Sequence, residues 1–291
     1  MLIDIEKIKF VHFAGGEVHL NGKYFFPIKR EMDDIIWSPI HDSIDLMELL
    51  IYTDAYRRYH GVTPRVCIPY IPYARQDRVA NEGESLSIRV FADIINSQKY
   101  PEVIVMDPHS EVCMALLDNV KVIEKVDDAY LRKVIDNYDE CVVLAPDAGA
   151  YKRLSKVIKD VPLIYATKQR DTKTGALSNV ELHIGDVNIL GKRLLVVDDI
   201  CDGGGTFLLL RNELREKGIS NSLELYITHG IFSKGTDVIK DAYSKVYTTN
   251  SFYRGSADDS LKVYDLKQDV PVRADLAKDI YTAIKGVMMN V

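Results

Sequence analysis

The sequence predicts an α/β protein of two domains, each a mostly parallel sheet with helices on both faces. Short apolar runs of strand length alternate with helical patterns along the chain, as is typical of a parallel sheet covered by helices. The length of 291 residues fits one large or two ordinary domains. The alternation starts again after Lys125, so we divide the chain into residues 1–125 and 126–291.

The first half opens with a segment of short strands. Residues 1–29 predict strands and hairpins, with Asn21-Gly22 as a turn. Asp42 or Ser43 is suited to cap a helix that ends at Gly61. The remaining elements predicted in this half are strand 66–68, helix 85–95, strand 103–106 and helix 111–117.

The second half repeats the alternation of strands and helices. Helical patterns cover 128–138, 148–158, 207–217 and 273–288. Strand patterns cover 141–144, 163–166, 194–197, 223–228, 245–248 and 261–264. We expect the last helix to be able to pack back on the first domain.

Composition narrows the classes of function. The net charge of −6 and the isoelectric point of about 5.7 argue against a nucleic-acid-binding protein. The four cysteines are scattered and form no CxxC pair, as expected for reduced thiols. The N-terminus lacks the apolar segment of a signal peptide, and no apolar run is long enough to cross a membrane. We therefore expect a cytoplasmic protein that binds neither nucleic acid nor membrane.

The most informative stretch is 194–206, LLVVDDICDGGGT. An apolar strand runs into Asp198 and Asp199, and a glycine-rich turn then leads into a helical pattern. Such a turn gathers backbone N–H groups and a positive helix end, which bind anions such as phosphate. The carboxylates would repel phosphate but suit ribose hydroxyls, so the stretch predicts a sugar-phosphate site. The residues of its turn are Asp202, Gly203, Gly204, Gly205 and Thr206.

Two further stretches carry groups suited to phosphates. Residues 68–78, IPYIPYARQDR, end in planar hydrogen-bonding groups, and an arginine fork such as that of Arg75 matches phosphate oxygens, whereas Gln76 can read a base edge. Lys168 and Arg170 follow strand 163–166. Alternate residues of an extended chain face the same side, so both cations could point at one phosphoryl group.

These stretches resemble the ribose-phosphate diphosphokinase family, also called phosphoribosyl pyrophosphate synthetases. The glycine-rich stretch also resembles the loop of type I phosphoribosyltransferases. The matching motifs occur in the family's order. In the first half, FAGGE at 13–17 matches F-x-D-G-E, residues 68–78 match the family's ATP-binding signature, and MDPHS at 106–110 matches V-D-L-H-A. In the second half, APDAG at 145–149 matches S-P-D-x-G, KQR at 168–170 matches K-R-R, and THGIFS at 228–233 matches T-H-P-I-F-S.

The resemblance implies two tandem phosphoribosyltransferase-like domains in a homo-oligomer. It implies transfer of the diphosphoryl group of ATP to the C1 hydroxyl of ribose 5-phosphate, giving phosphoribosyl pyrophosphate and AMP. The implied ATP contacts are Phe13, Gly15, Glu17, Arg75, Gln76 and Asp77. His109 and Asp147 would flank Mg²⁺, and Lys168 and Arg170 would be the catalytic cations of a mobile loop. Asp198 and Asp199 would bind the ribose hydroxyls, with the 5-phosphate at 202–206.

Departures from the family pattern leave alternatives open. Gly15 replaces the usual acid, so nucleotide preference does not carry over. The chain begins close to its first motif, so we expect elements that precede it in relatives to be missing or rebuilt. A phosphoribosyltransferase that consumes phosphoribosyl pyrophosphate would share the glycine loop but would not need the 68–78 stretch. A regulatory homologue should have lost Lys168, Arg170 or the loop. The P-loop pattern GxxxxGK[ST] is absent from the sequence.

Overall fold

The computed structural model describes residues 1–21, 34–123, 129–137, 140–170, 177–219 and 221–271. The first domain holds a sheet of five parallel strands in the order β1-β4-β5-β6-β7 and a separate hairpin, β2-β3. Its elements are β1 (Leu2–Asp4), β2 (Phe10–His12), β3 (Val18–Leu20), β4 (Ile35–Trp37), α1 (Ser43–His60), β5 (Arg65–Ile68), α2 (Ser87–Ser97), β6 (Val103–Met106), α3 (Glu111–Leu116) and β7 (Val120–Ile123).

The second domain holds a sheet of seven strands in the order β10-β9-β8-β11-β12-β13-β14, parallel except for β10 against β9. Its elements are α4 (Ala129–Asp136), β8 (Cys141–Ala145), α5 (Ala148–Val157), β9 (Leu163–Arg170), β10 (Leu177–His183), β11 (Arg193–Cys201), α6 (Gly205–Glu216), β12 (Leu223–Gly230), α7 (Asp237–Lys240), β13 (Lys245–Thr249) and β14 (Leu261–Tyr264). Short 3-10 helices span Ile5–Lys7 and Leu266–Asp269.

The order in which the chain adds strands to the second sheet reverses between β8 and β11. From β8 the chain moves to β9 on one side, and it then returns to place β11 on the other side. Such a switch opens a crevice at the carboxyl ends of the two strands, where α/β proteins bind ligands. Asp147 follows β8, while Asp198 and Asp199 lie near the end of β11, so the topology brings these acids to one crevice.

A shared apolar core fixes the two sheets against each other. Trp37 and Met106 of the first sheet belong to the same buried cluster as Val143, Leu195 and Tyr226 of the second domain. Close packing of such a core resists relative movement of the sheets. The loops after β6 and β11 therefore keep a defined relation across the domain junction.

The predicted fold class is confirmed, as are several elements. Helix α1 has Asp42 as its N-cap, with its carboxylate accepting two backbone N–H groups, and Gly61 as its C-cap at φ 70°. Several strands run further than predicted, β9 and β11 among them, so Asp198 and Asp199 lie inside β11 and Lys168 lies inside β9. The prediction missed β4, β7 and β10.

Three predictions fall outside the described residues. These are the turn at Gly22, the domain boundary after Lys125 and the helix at 273–288. They stay predictions. In the described part of the chain, no helix combines the length and the apolar character needed to cross a membrane.

An ion-pair cluster joins the domains away from the crevice. Asp45 of α1 accepts hydrogen bonds from His41 and pairs with Arg254 of the second domain at 3.1 Å. Burial acts to raise the pKa of Asp45, but the His41 hydrogen bonds and the Arg254 charge outweigh it and lower that pKa from 3.8 to about 2.

This cluster predicts acid sensitivity of folding. Because the folded pKa of Asp45 is depressed, its stabilisation is present above about pH 4 and is lost as the pH falls toward 2. When the pH is lowered from 5 to 3, the free energy of unfolding should decrease in both proteins. We expect the decrease to be about 1 kcal/mol smaller for Asp45→Asn than for wild type, after allowing for solvent screening. Urea unfolding at both pH values measures this, and equal losses in the two proteins would contradict it.

Candidate active site

A cavity of about 460 Å³ lies between the two domains at the crevice. The loop after β6 supplies Asp107 and His109, the start of α5 supplies Asp147, and β11 supplies Asp198 and Asp199. Acidic and basic side chains thus face one space from both domains. The structure brings together four residues that the sequence predicted separately, two as metal ligands and two as ribose ligands.

Arg153 of α5 organises the two adjacent acids. Its guanidinium lies 3.2 Å from Asp198 Oδ1 and 3.4 Å from Asp199 Oδ2. His109 Nδ1 lies 2.7 Å from the same Asp199 Oδ2, so a residue of the first domain is bonded to the second domain's strand. Two carboxylates side by side repel each other, and the arginine between them offsets this repulsion.

The two acids differ in their protonation. Burial raises the pKa of Asp198 well above its usual value, and the charge of Asp199 adds to the rise. Burial also acts to raise the pKa of Asp199. The His109 hydrogen bond and the Arg153 charge outweigh this effect, so the pKa of Asp199 is lowered. The Asp199 bond in turn raises the pKa of His109. Asp199 is therefore the firmly ionised member of the pair.

A buried network behind the cavity joins β6 to β12. Asp107 adopts φ 41°, uncommon for a residue with a side chain, and its Oδ2 accepts a hydrogen bond from Thr228 at 2.5 Å. His229 Nε2 donates to the Asp107 carbonyl at 3.0 Å, and its Nδ1 lies 2.8 Å from Ser251 Oγ. Burial lowers the pKa of His229. His229 therefore has a structural role.

The glycine-rich turn forms the start of α6. Gly204 is the N-cap at φ 77°, and the helix begins at Gly205, earlier than predicted. The Phe207 N–H donates to the Gly204 carbonyl at 3.0 Å, whereas the Gly205 and Thr206 N–H groups have no acceptor among the described residues and are available to an anion. Asp202, at the entrance of the turn, pairs with Arg75 of the first domain at 2.8 Å. Hydrogen bonds from Ser233 and Arg75 lower the pKa of Asp202.

The conformation of the turn requires glycine at position 204 but not at position 205. A Cβ on Gly204 would lie 2.6 Å from Ile239 Cδ1 at a positive φ, whereas a Cβ on Gly205 meets nothing within 4 Å. We expect Gly204→Ala to lower the free energy of unfolding by about 1–3 kcal/mol, while Gly205→Ala stays within about 0.5 kcal/mol of wild type. Urea unfolding of both variants checks this, and equal effects would contradict it.

Other predicted site residues lie elsewhere. Phe13, Glu17 and the glycines between them lie at the β2-β3 hairpin, where Phe13 and Glu17 line a depression with Met47 and Ile51 of α1. That depression shares no residue with the cavity between the domains. The hairpin is therefore not brought to the cavity within one chain.

The predicted ATP contacts Arg75, Gln76 and Asp77 lie in different environments. Arg75 reaches the glycine turn through Asp202. Asp77 accepts a hydrogen bond from Ser110 at 2.7 Å, so it anchors the loop that carries His109. Gln76 is exposed. For Lys168 and Arg170 the structure describes the backbone only, in strand β9.

Sequence reasoning missed Arg153, the residue with most contacts to the paired acids. It lies three residues after Ala150 on the inner face of α5, the helix capped by Asp147. Arg153 is six residues after the capping Asp147, so it has neither the i,i+3 nor the i,i+4 spacing that would have linked it to that acid. No pattern in the sequence connects it to residues 198 and 199.

His109 and Asp147 fit a magnesium ion held mainly by a substrate. Among residues that the structure describes, no group of three or more histidine, cysteine or acidic side chains could hold a metal by itself. Mg²⁺ commonly takes only one or two protein groups and completes its shell with phosphates and water. One imidazole and one carboxyl lining the same cavity satisfy that smaller requirement.

Switch-point topology, paired acids and a glycine turn that opens a helix define a phosphoribosyltransferase-type protein. Family models agree: residues 2–98 match the N-terminal domain of ribose phosphate pyrophosphokinase, and 114–257 match the phosphoribosyl transferase domain. The ribose-phosphate pyrophosphokinase of Pyrococcus abyssi is 32% identical over 260 residues, covering 86% of this chain and 85% of the relative. This chain belongs to the ribose-phosphate pyrophosphokinase family.

Further comparisons agree with this assignment. The ribose-phosphate pyrophosphokinase of Mycoplasmopsis pulmonis is 31% identical, covering 82% of this chain and 74% of the relative. The crystal structure of phosphoribosylpyrophosphate synthetase from Mycobacterium smegmatis superposes with a TM-score of 0.74 at 24% identity, covering 100% of this chain and 99% of the other. That likeness shows the fold. The predicted family, fold and enzyme type are confirmed.

Proposed function

We propose that this chain transfers the diphosphoryl group of ATP to the C1 hydroxyl of ribose 5-phosphate, giving phosphoribosyl pyrophosphate and AMP. The observation that carries the proposal is the contact of His109 with Asp199, 2.7 Å across the domain junction. It joins the predicted metal and nucleotide side to the predicted sugar side in one cavity. The names of the relatives support the same reaction.

The second domain supplies the sugar-phosphate site. Asp198 and Asp199 lie at the carboxyl end of β11 and can accept hydrogen bonds from ribose hydroxyls. The first turn of α6 and the hydroxyl of Thr206 can donate to the 5-phosphate. Because strand and helix are joined by a single short turn, both ends of the sugar are bound by one continuous segment.

The metal side is formed by residues near the domain junction. His109 and Asp147 would hold Mg²⁺, which neutralises charge on the ATP phosphates when bound. Donation from His109 Nδ1 to Asp199 Oδ2 would orient the imidazole and leave the lone pair of Nε2 to bind the metal. Asp147 is held in turn by accepting the Ala150 N–H at 2.9 Å.

Lys168 and Arg170 would be the cations that reach the transferring group. Register pairs Ala145 of β8 with Tyr165 of β9, so residues 166–170 run beyond the end of β8, toward the crevice side of the sheet. Cations there would stabilise charge on the transferring diphosphoryl group and position it, which is most of what phosphoryl transfer needs.

The nucleotide base would be bound between copies of the chain. Phe13, Gly15 and Glu17 lie at a hairpin that is separate from the cavity of their own chain. Contacts from these residues to an ATP in the cavity would therefore come from a second copy, in keeping with the homo-oligomer that the resemblance implies. The cytoplasmic location stays a prediction.

Product analysis tests the reaction directly. The protein is incubated with ATP and Mg²⁺, with and without ribose 5-phosphate, and nucleotides are separated by ion-exchange chromatography. We expect AMP to form only with the sugar phosphate, in equal amount to phosphoribosyl pyrophosphate. ADP as the product would mean transfer of a single phosphoryl group and would refute the proposal.

A further inference from the structure

Lys234 is a cation beside the glycine turn and is not among the predicted substrate contacts. Its side chain runs along the turn, because a Cβ placed on Gly203 would lie 3.3 Å from Lys234 Cε and 3.5 Å from its Cδ. Lys234 is exposed. Across the described ranges, its ammonium group enters no ion pair or hydrogen bond. A positive charge is thus placed at the turn without a fixed partner.

The backbone holds Lys234 in register with the turn. The N–H groups of Ile231 and Phe232 both donate to the Cys201 carbonyl, at 2.9 and 3.0 Å. A Cβ on Gly230 would lie 2.3 Å from the Phe232 ring, so only glycine allows this close approach at that position. The segment that carries Lys234 is therefore fastened to the end of β11, directly before the glycine turn.

A cation at the turn would offset the negative charge of Asp202. Asp202 would repel a phosphate dianion, and its present partner is Arg75. Under the proposed function Arg75 contacts ATP, which would leave Asp202 without that partner. Ser233 and Arg75 lower the pKa of Asp202, and Lys234 contributes in the same direction through its charge. The protein carries a net charge of −6, so its overall field does not attract phosphate.

We propose that Lys234 binds the phosphate of ribose 5-phosphate together with the N–H groups of the first turn of α6. This inference rests on the proposed function, because it takes the glycine turn as a sugar-phosphate site. Lys234 acts on ground-state binding of the sugar, at the end of the molecule away from the reacting hydroxyl. Its removal should therefore change sugar affinity and leave ATP affinity and turnover at saturation unchanged.

Three variants separate this role from a general effect of charge. Lys234→Gln removes the cation, Lys234→Arg keeps it, and Lys217→Gln removes a lysine at the opposite end of the same helix α6. Calorimetry measures the Kd of ribose 5-phosphate without ATP. We expect about tenfold weaker binding for Lys234→Gln, corresponding to the loss of one hydrogen bond to a charged group. We expect Lys234→Arg and Lys217→Gln to bind within about threefold of wild type.

The possible results distinguish a failure of the Lys234 inference from a failure of the proposed reaction. If wild type binds ribose 5-phosphate with this dependence on Lys234 but forms no AMP, the inference is supported and the proposed reaction fails. If Lys234→Gln binds as wild type does, the inference is overturned even with normal turnover. It is overturned as well if Lys234→Arg is as weak as Lys234→Gln, or if wild type does not bind the sugar phosphate.

Discussion

Lys168→Ala should lower kcat by about 10³-fold or more while the Kd of ribose 5-phosphate stays close to wild type. A cation that meets the transferring group is used mainly in the transition state, where charge on that group develops. Its loss therefore lowers kcat and kcat/KM together. Initial rates of AMP formation at saturating substrates, with calorimetric binding of the sugar phosphate, measure both quantities.

A lysine in the same sheet provides the matched control. Lys262 lies in β14, at the opposite edge of the seven-stranded sheet from β9 and β10, and is also a strand lysine. Lys262→Ala should leave kcat within about threefold of wild type. If Lys168→Ala behaves like Lys262→Ala, Lys168 has no catalytic role.

Arg170 extends this test to the pair. Lys168 and Arg170 are alternate residues of strand β9, a spacing that predicts side chains on the same face of a strand. If the two cations act as a unit, the double alanine variant should be little worse than the more damaging single variant. Losses that multiply would instead mean that each cation acts independently.

Local sequence was sufficient for elements whose signals lie within one segment. Helix α1 has a capping acid at its start and glycine in the left-handed region at its end, and both ends were predicted. The strand β4 is three residues long and gives no periodic signal of its own. It is defined by its pairing with β1 and β5, which are distant in sequence. Pairing of this kind cannot be derived from a single segment.

The same distinction applies to the site. The glycine turn and its two acids are contiguous, so their chemistry could be predicted from one stretch. The link from His109 to Asp199 spans 90 residues of sequence, and the link from Arg153 to Asp198 spans 45. These links exist because parallel strands bring their carboxyl ends to one edge of the sheet and because a shared core fixes the two sheets.

Asp199→Asn should lower kcat/KM for ribose 5-phosphate by about 10²–10³-fold, the effect of removing one partner from buried, hydrogen-bonded charge pairs. Asp199 is 3% exposed, and its Oδ2 contacts both His109 and Arg153. Asparagine has the same shape but lacks the negative charge. It would therefore leave His109 less firmly oriented and Arg153 with a single remaining acid in this pair.

Two controls separate catalysis from folding in this variant. Asp186→Asn makes the same chemical change at an exposed turn and should leave kcat/KM within about threefold of wild type. Thermal unfolding of Asp199→Asn reports the structural cost of the change. A loss of kcat/KM with an unchanged Kd for the sugar phosphate would place the role of Asp199 in orienting His109. A matching loss of sugar binding would place it in binding the ribose hydroxyls. A value of kcat/KM close to wild type would contradict both roles, since each requires the negative charge that asparagine lacks.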